Sequence, residues 1–320
     1  MKRVSIIALA LALAGGAAAP AFADGETIAV LTKNQTNPFF QAERVGAAKA
    51  AAAMHAKVLQ YVPTQPDSIP EQMSQIDDIV TKKPDAIVMV PVDYKAMVAG
   101  VQKINAAKIP VVNVTDRSAG GDFVAFVGAD DYSIAKSTAE VLLKAIGGKG
   151  DVIIIEGVRG AATAQDRLRG FKDAIAEFPN VKLVDSQPAN YQRLQAMQVM
   201  ENLLQSNPNV AGVMAANDAM AIGAMDALAD ANSKAKIVGI NGTKEAVDAI
   251  KAGKMLATGD YNGFVQGCIG TEIAIRYLRH EPVPSKVTQP SVVVQASNLG
   301  PYDVPVDKRE CPAWDQIQKN

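Results

Sequence analysis

The feature that most constrains this chain is a regular alternation of short apolar runs and longer helical patterns between Thr27 and Gln295. Strict β/α alternation is typical of parallel sheets that are covered by helices on both faces. The predicted strands are residues 27–32, 58–62, 86–90, 110–114, 123–127, 151–156, 181–187, 210–215, 236–240, 256–260 and 291–295. The predicted helices are residues 38–54, 69–81, 94–107, 131–146, 161–177, 194–206, 218–229, 244–252 and 264–279.

So many strands would be unusual in one open sheet. Two sheets of about five or six strands, each forming its own lobe, fit the length better. The predicted fold class is therefore α/β, with two doubly wound parallel-sheet lobes. A (β/α)₈ barrel is the competing architecture, but the strand count and the missing helix between 110–114 and 123–127 argue against it. We expect the chain to pass from one lobe to the other at this helix-free link.

Residues 1–23 have the features of a secretory signal peptide. A Lys-Arg pair supplies the positive start, and residues 4–14 form an apolar run that is too short to span a bilayer. The segment 21–23 (Ala-Phe-Ala) fits a small-residue cleavage pattern. We therefore expect a periplasmic mature chain that begins at Asp24, without a lipid anchor or a transmembrane helix.

Composition narrows the possible functions. The formal charge is −1 and there is no basic tract, so we do not expect a nucleic-acid partner. The two histidines, His55 and His280, lack metal-ligand spacing, and the chain has no phosphate-loop, dinucleotide or nucleophile-elbow motif. We expect no metal, no cofactor and no catalysis, although Asp116 and Asp260 formally provide the two acids of a glycoside hydrolase.

Residues 27–40 predict a strand, a polar loop and the start of a helix. Pro38 suits the first helical position, and the preceding Asn37 can cap the free amides of the first turn. This places polar and aromatic side chains at the carboxyl end of a strand, where open parallel sheets bind ligands. The rings of Phe39 and Phe40 either pack under the helix or present a face to a ligand. These candidates are Lys33, Asn37, Phe39 and Phe40.

Further polar residues follow other predicted strands. Asp116 and Arg117 combine acceptors with a fork of donors, which suits vicinal hydroxyls, but they can also form a mutual salt bridge. The other candidates have equally ordinary alternatives, such as a helix N-cap for Asn217 or a plain turn for Asn241. Together they supply the hydrogen-bonding groups and aromatic faces that a polyhydroxylated ligand requires. The candidates are Asp116, Arg117, Arg167, Tyr191, Asn217, Asn241, Asp260 and Tyr261.

The chain has two cysteines, Cys268 in the last predicted helix and Cys311 in the tail 301–320. In an exported protein such a pair can be oxidised, and the disulfide would attach the tail to the body. Two free thiols are the alternative, because a disulfide requires the two Cα atoms to lie within about 7 Å.

These residues resemble the periplasmic sugar-binding proteins of ABC importers, in particular the ribose- and allose-binding group. Effector domains of the lactose-repressor type share the same fold. The resemblance covers residues 26–300. Its most specific segments are 37–40 (Asn-Pro-Phe-Phe), 115–117 (Thr-Asp-Arg), 167–171 (Arg-Leu-Arg-Gly-Phe), 187–191 (Gln-Pro-Ala-Asn-Tyr), 216–224 and 238–243.

The resemblance implies a type I periplasmic binding protein whose two lobes close on one monosaccharide. Phe39 and Phe40 would flank the sugar, and Tyr191 falls where an aromatic residue is usual. Lys33 falls where allose-type binders carry a lysine. The implied hydrogen-bonding partners are Asn37, Asp116, Arg117, Arg167 and Asn217.

Three departures from the ribose-type pattern lie in the second half of the chain. Asn241 replaces the usual Asp, Ile240 replaces a frequent Phe, and Tyr261 replaces Gln, so we do not expect a ribose binder. The charged candidates leave a modest positive excess, which keeps an acidic sugar open beside a neutral aldose or a polyol. They are Lys33, Arg117, Arg167, Asp116 and Asp260.

The chain order of such a protein implies a three-segment hinge at about 128–130, 260–262 and 288–291. The first lobe would comprise residues 24–129 and 262–290, and the second lobe residues 130–261 and 291–300. The tail 301–320 lies outside this pattern. A disulfide to Cys268 would pin the tail to the first lobe and leave closure free.

The implied function is capture of a monosaccharide or polyol by hinge closure and its delivery, by a monomeric protein, to an ABC permease in the inner membrane. A chemotaxis receptor or a sensor kinase could also read the closed form. A transcriptional regulator of this fold would need an N-terminal helix-turn-helix, where this chain has the predicted signal peptide. A secreted hydrolase would need a catalytic constellation, which the sequence does not contain.

Overall fold

Two six-stranded sheets carry the fold in the computed structural model, which describes residues 25–317. The first sheet contains β1 (Thr27–Leu31), β2 (Lys57–Tyr61), β3 (Ala86–Met89), β4 (Val111–Val114), β5 (Ala125–Ala129) and β11 (Lys286–Gln289), in the order β11-β5-β4-β3-β1-β2. The second contains β6 (Lys149–Glu156), β7 (Asn180–Pro188), β8 (Gly212–Ala215), β9 (Lys236–Ile240), β10 (Ala257–Asp260) and β12 (Val292–Gln295), in the order β12-β10-β9-β8-β6-β7. The predicted signal peptide and Asp24 lie outside the described residues.

Helices cover both sheets, and we call each sheet with its helices a lobe. The first lobe contains α1 (Pro38–Ala53), α2 (Ile69–Lys82), α3 (Val98–Ala106) and α9 (Gly263–Leu278). The second contains α4 (Asp131–Ala145), α5 (Ala162–Ala176), α6 (Arg193–Ser206), α7 (Asp218–Asp230) and α8 (Lys244–Lys251). The tail adds two 3₁₀ turns, Gly300–Tyr302 and Val306–Lys308, and α10 (Trp314–Ile317). The predicted fold class of two doubly wound α/β lobes is confirmed.

The apolar strands explain why both sheets are buried. All residues of β3, β4 and β8 are buried, as parallel strands covered on both faces require. Strand pairing is parallel except between β10 and β12, which is antiparallel. The sequence pattern missed β11, because its Lys-Val-Thr-Gln segment is short and mostly polar.

The start of α1 is fixed by local chemistry and by close packing. The Asn37 side chain accepts a hydrogen bond of 3.0 Å from the Phe39 amide, and Pro38 occupies the first turn, as predicted. Helix α1 packs against α9 at glycines: a Cβ on Gly267 would lie 1.9 Å from the Glu43 carbonyl oxygen. Only glycine permits this approach of two backbones, and it holds the first turn of α1 at the carboxyl end of the first sheet.

The chain passes between the sheets after β5, after β10 and between β11 and β12. The prediction that it crosses at the link between β4 and β5 is wrong, because Val112 and Ala125 are partners in two adjacent parallel strands of the first sheet. Helix α3 also begins later than predicted, because the Asp93 side chain accepts bonds from the Lys95 and Ala96 amides and stabilises a turn there.

The predicted disulfide is present. Cys268 in α9 is bonded to Cys311 in the tail, with a Cα–Cα distance of 5.6 Å. The tail is therefore attached covalently to the first lobe.

Candidate ligand-binding site

The carboxyl ends of strands from both lobes meet around a small cavity. Nine of the twelve predicted ligand-binding residues line it: Lys33, Asn37, Phe39, Phe40, Asp116, Arg167, Tyr191, Asn217 and Asn241. Thr115 and Thr163 complete the wall.

Lys33 is the first buried cation of the cavity, with 1% of its surface exposed. Its ammonium forms a short ion pair with Asp116 and lies 3.6 Å from an oxygen of Asp67. Burial opposes the charge, but the two carboxylates outweigh it, and the pKa of Lys33 is raised. The other oxygen of Asp116 accepts a bond of 3.0 Å from the Thr163 amide at the start of α5. Asp116 therefore connects the two lobes.

Arg167 is the second buried cation, with 3% of its surface exposed. Its Nε donates to Asp131 at 2.8 Å and its Nη1 donates to the Ala216 carbonyl at 2.8 Å. The guanidinium also lies 4.5 Å from the centre of the Tyr261 ring, whose hydroxyl donates to the other oxygen of Asp131 at 2.8 Å. Groups behind the cavity wall thus fix the orientation of Arg167.

Three aromatic rings line the cavity. Phe39 and Phe40 are both buried and meet edge to face, with 5.1 Å between ring centres. The Tyr191 ring on the opposite lobe lies 5.6 Å from the Lys33 ammonium, and burial raises the pKa of its hydroxyl to about 12. The rings pack under α1 and also line the cavity, so the two alternatives do not exclude each other, and contact with a ligand stays a prediction.

Three asparagines contribute amide groups. Asn37 and Asn217 cap α1 and α7, and Asn217 accepts from the Met220 amide at 2.9 Å. Asn241 has a backbone φ of 145°, which is strained for a residue other than glycine. Its Oδ1 is buried without a hydrogen-bond partner in the described part of the chain. A buried acceptor of this kind is costly unless a ligand satisfies it.

Three predicted site residues do not line the cavity. Arg117 is exposed and pairs with Asp166, not with its neighbour Asp116, so neither prediction for that pair describes it. Tyr261 is fully buried behind the wall and packs against Phe39, with 5.7 Å between ring centres. Asp260 lies at the end of β10, where burial raises the pKa of its carboxyl to about 7.

The site also contains residues that the sequence interpretation did not single out. Thr115 belongs to the segment 115–117 that carries the resemblance, but it was not named as a ligand-binding candidate. Thr163 lies in the first turn of α5 and Asp67 lies in a loop, and neither has a distinctive sequence pattern. Asp131 looked like an ordinary first-turn acid of α4. The structure assigns Asp67 to Lys33 and Asp131 to Arg167.

Because the buried cations have these partners, the predicted positive excess is wrong. Two counted charges, Arg117 and Asp260, lie outside the cavity, and two uncounted carboxylates compensate Lys33 and Arg167.

A buried polar chain lies directly beneath the wall. The Thr115 hydroxyl lies 2.7 Å from Oε1 of Gln266 and 3.1 Å from Oε2 of Glu43. The amide oxygen of Gln266 cannot donate, so the hydroxyl proton points to it. With that proton committed, a neutral Glu43 would donate to Thr115 and complete the chain. Burial raises the pKa of Glu43 to about 8, which favours the neutral carboxyl near pH 7.

Comparison with known proteins decides the family. A family model described as a periplasmic binding protein domain matches residues 28–282. The chain belongs to the periplasmic binding proteins.

Its relatives within that family are transport proteins. The chain is 32% identical over 287 residues to the ribose import binding protein of Haemophilus influenzae, with 90% of this chain and 97% of the relative covered. It is 33% identical to a D-apiose import binding protein of Actinobacillus succinogenes, with 79% and 80% covered. These relatives are solute-binding proteins rather than enzymes.

Two solved structures have the same architecture. One is an ABC transporter solute-binding protein of Actinobacillus succinogenes with bound D-allose, 34% identical, with a TM-score of 0.81 over 87% of this chain and all of that one. The other, from Mycobacterium smegmatis with bound glycerol, is 31% identical with a TM-score of 0.81, over 87% of this chain and 96% of that one.

The helices between residues 25 and 317 include none with the length and apolar character that a membrane span requires.

Proposed function

We propose that this protein is the periplasmic binding component of an ABC importer and that it binds one neutral monosaccharide or polyol between its lobes. The observation that carries the proposal is the cavity between the lobes, in which three rings and a set of amide, carboxylate and guanidinium groups converge from both lobes. Rings cover the C–H faces of a sugar, and the polar groups satisfy its hydroxyls. The cavity is small, which favours a single ring or a short polyol over a longer saccharide.

Charge compensation favours a neutral ligand over an acidic sugar. Lys33 lies between Asp67 and Asp116, and Arg167 is bound to Asp131. An anionic ligand would have to compete with these carboxylates for a buried cation. The hydroxyls of a neutral sugar would instead form additional hydrogen bonds with these charged groups and leave their ion pairs intact.

Contacts across the cavity support a mechanism of hinge closure. Asp116 of the first lobe accepts the Thr163 amide of the second, and Lys33 faces the Tyr191 ring. A ligand that bridges both lobes stabilises the closed state by its differential affinity for it. The closed form would then deliver the sugar to a permease in the inner membrane. A monomeric state and a second role as a chemoreceptor ligand remain predictions.

The test is a thermal-shift screen of the mature protein against pentoses, hexoses, polyols, inositols and sugar acids. A ligand at about 100 times its Kd stabilises the fold by about 2.7 kcal/mol, which is readily detected. We expect a hit among neutral compounds. A hit confined to sugar acids would contradict the neutral ligand, and a folded protein without any hit would contradict sugar binding.

Two matched variants connect a hit to the cavity. Asn241→Gly removes the amide that lines the cavity and suits the positive φ of that position, so the variant should fold and lose most of the ligand-induced shift. Asn232→Gly makes the same exchange at an exposed position that also has a positive φ, of 51°. It should keep the full shift.

A further inference from the structure

The C-terminal tail contacts both lobes, although the sequence predicted only that a disulfide would pin it to the first lobe. We define the strap as residues 303–311, which follow β12 and the first 3₁₀ turn and end at the disulfide. Its two ends are bound to different lobes.

On the first lobe, the anchor is covalent and is reinforced by side chains. Cys311 is bonded to Cys268 of α9, and the ammonium of Lys49 in α1 donates to the Arg309 carbonyl at 2.6 Å. Beyond the strap, Trp314 stacks on the guanidinium of Arg276 at 4.4 Å. This end cannot leave the first lobe while the disulfide is intact.

On the second lobe, the anchor is electrostatic. The carboxylate of Asp303 lies 2.6 Å from the ammonium of Lys251 and 3.2 Å from that of Lys244, both on α8. These groups are partly exposed, so each pair is weak and can break.

Between its anchors, the strap lies beside the ligand cavity. Residues 305–307 and 309 form one side of a groove whose other sides are the first turns of α1 and α8. Phe39 and Asn241 line both this groove and the ligand cavity. The groove separates the lobes, so opening the cleft must widen it and stretch the strap.

Chain length limits that movement. Val306 packs against the first-lobe cluster of Ala42, Ala50, Phe264 and Cys268. Only three residue steps separate this contact from the second-lobe anchor at Asp303. Fully extended, three steps span about 10 Å. If Val306 detaches, the eight steps to Cys311 span about 27 Å. If Asp303 also detaches, the free length runs from Gln295 and reaches about 55 Å over sixteen steps.

We propose that the tail is a disulfide-anchored strap that restrains the opening of the lobes and makes the open–closed equilibrium depend on the oxidation of Cys268 and Cys311. With the disulfide, opening must first break contacts at Val306 or Asp303, so the strap favours the closed state. Without it, only noncovalent contacts hold the tail on the first lobe, so the whole tail can detach and the length of the strap no longer limits opening.

The test is small-angle X-ray scattering of the full mature protein without ligand, so its outcome does not depend on which sugar binds. We compare the oxidised protein, the protein reduced until both thiols titrate, and Cys268→Ser/Cys311→Ser. The reduced and serine forms should show a larger radius of gyration and a larger maximum dimension, with unchanged circular dichroism. Superimposable curves for the oxidised and reduced folded protein would overturn the proposal.

A second comparison works even if the cysteine variant fails to fold, because it keeps the disulfide. Asp303→Asn should shift the scattering of the oxidised protein in the same direction by a smaller amount. Asp307→Asn is the matched control, since Asp307 lies in the same strap and its carboxylate lies 3.9 Å from the ammonium of the adjacent Lys308 rather than in an ion pair with α8. An equal effect of both substitutions, or no effect of Asp303→Asn, would contradict the anchor at Asp303.

Discussion

The two buried cations of the cavity differ in where their partners lie. The main partner of Lys33 is Asp116, which lines the cavity itself and contacts the opposite lobe. The partner of Arg167 is Asp131, which lies behind the wall and is also bound by Tyr261. A ligand can therefore rearrange the contacts of Lys33, whereas the orientation of Arg167 is set before the ligand arrives. The comparison suggests one adaptable and one preorganised side of the site.

The largest effect should come from removing the preorganised cation. Arg167→Ala leaves Asp131 as an uncompensated buried charge and should reduce the free energy of unfolding by about 3–5 kcal/mol. Urea unfolding of the ligand-free protein measures this. Arg169→Ala, on the exposed face of the same helix, should stay within about 0.5 kcal/mol of wild type. Equal losses in the two variants would contradict the role of the buried pair.

A smaller loss is expected for the adaptable cation. Lys33→Met should cost about 2–3 kcal/mol, because Asp116 keeps the Thr163 amide and Asp67 keeps a bond from Asn34. Adding Asp67→Asn should restore part of the loss, since it removes one uncompensated charge. Lys172→Met, at an exposed position, serves as the control in the same unfolding assay. If Lys33→Met costs as much as Arg167→Ala, the proposed difference between the two sides is wrong.

Glu43 extends the comparison to a buried acid. The raised pKa of this carboxyl group, rather than a neighbouring cation, avoids the cost of a buried negative charge. Its folded-state pKa of about 8 exceeds the ordinary value of 4.5, so its contribution to stability is complete below about pH 4.5 and disappears as the pH rises through 8. Between pH 5 and pH 8 wild type should therefore lose about 3–4 kcal/mol that Glu43→Gln does not lose.

Glutamine suits this test because its amide can donate to Thr115 as the protonated acid does, but it does not ionise. Unfolding curves at each pH, with Glu201→Gln at an exposed position as the control, give the difference. If wild type and Glu43→Gln lose stability in parallel as the pH rises, ionisation of Glu43 does not cause the loss, and the prediction is wrong.

Much of the site could be predicted from strand ends alone. Parallel strands bring their carboxyl ends to one edge of a sheet, so Asn37 and Asp116 of the first sheet had to lie near one another once the strands were located. Asn217 follows a strand of the second sheet, so its place in the same cavity also depends on how the two lobes meet. The same rule failed for Arg117, because successive residues at a strand end point in different directions, and the rule does not state which one faces the cavity. It also failed for Asp260, which faces away from the cavity and lies in the electrostatic range of Arg309 in the tail.

The sequence by itself determined the α/β class, the two lobes, nearly all strands and helices, and the cysteine pair as a candidate disulfide. These follow from local patterns: apolar runs of strand length, helix caps and chain order. Only the tertiary structure decided which charges compensate each other, that burial beneath Thr115 raises the pKa of Glu43, and that the tail joins both lobes. Such pairings connect residues far apart in the chain, and their energies depend on burial and distances that no local pattern contains.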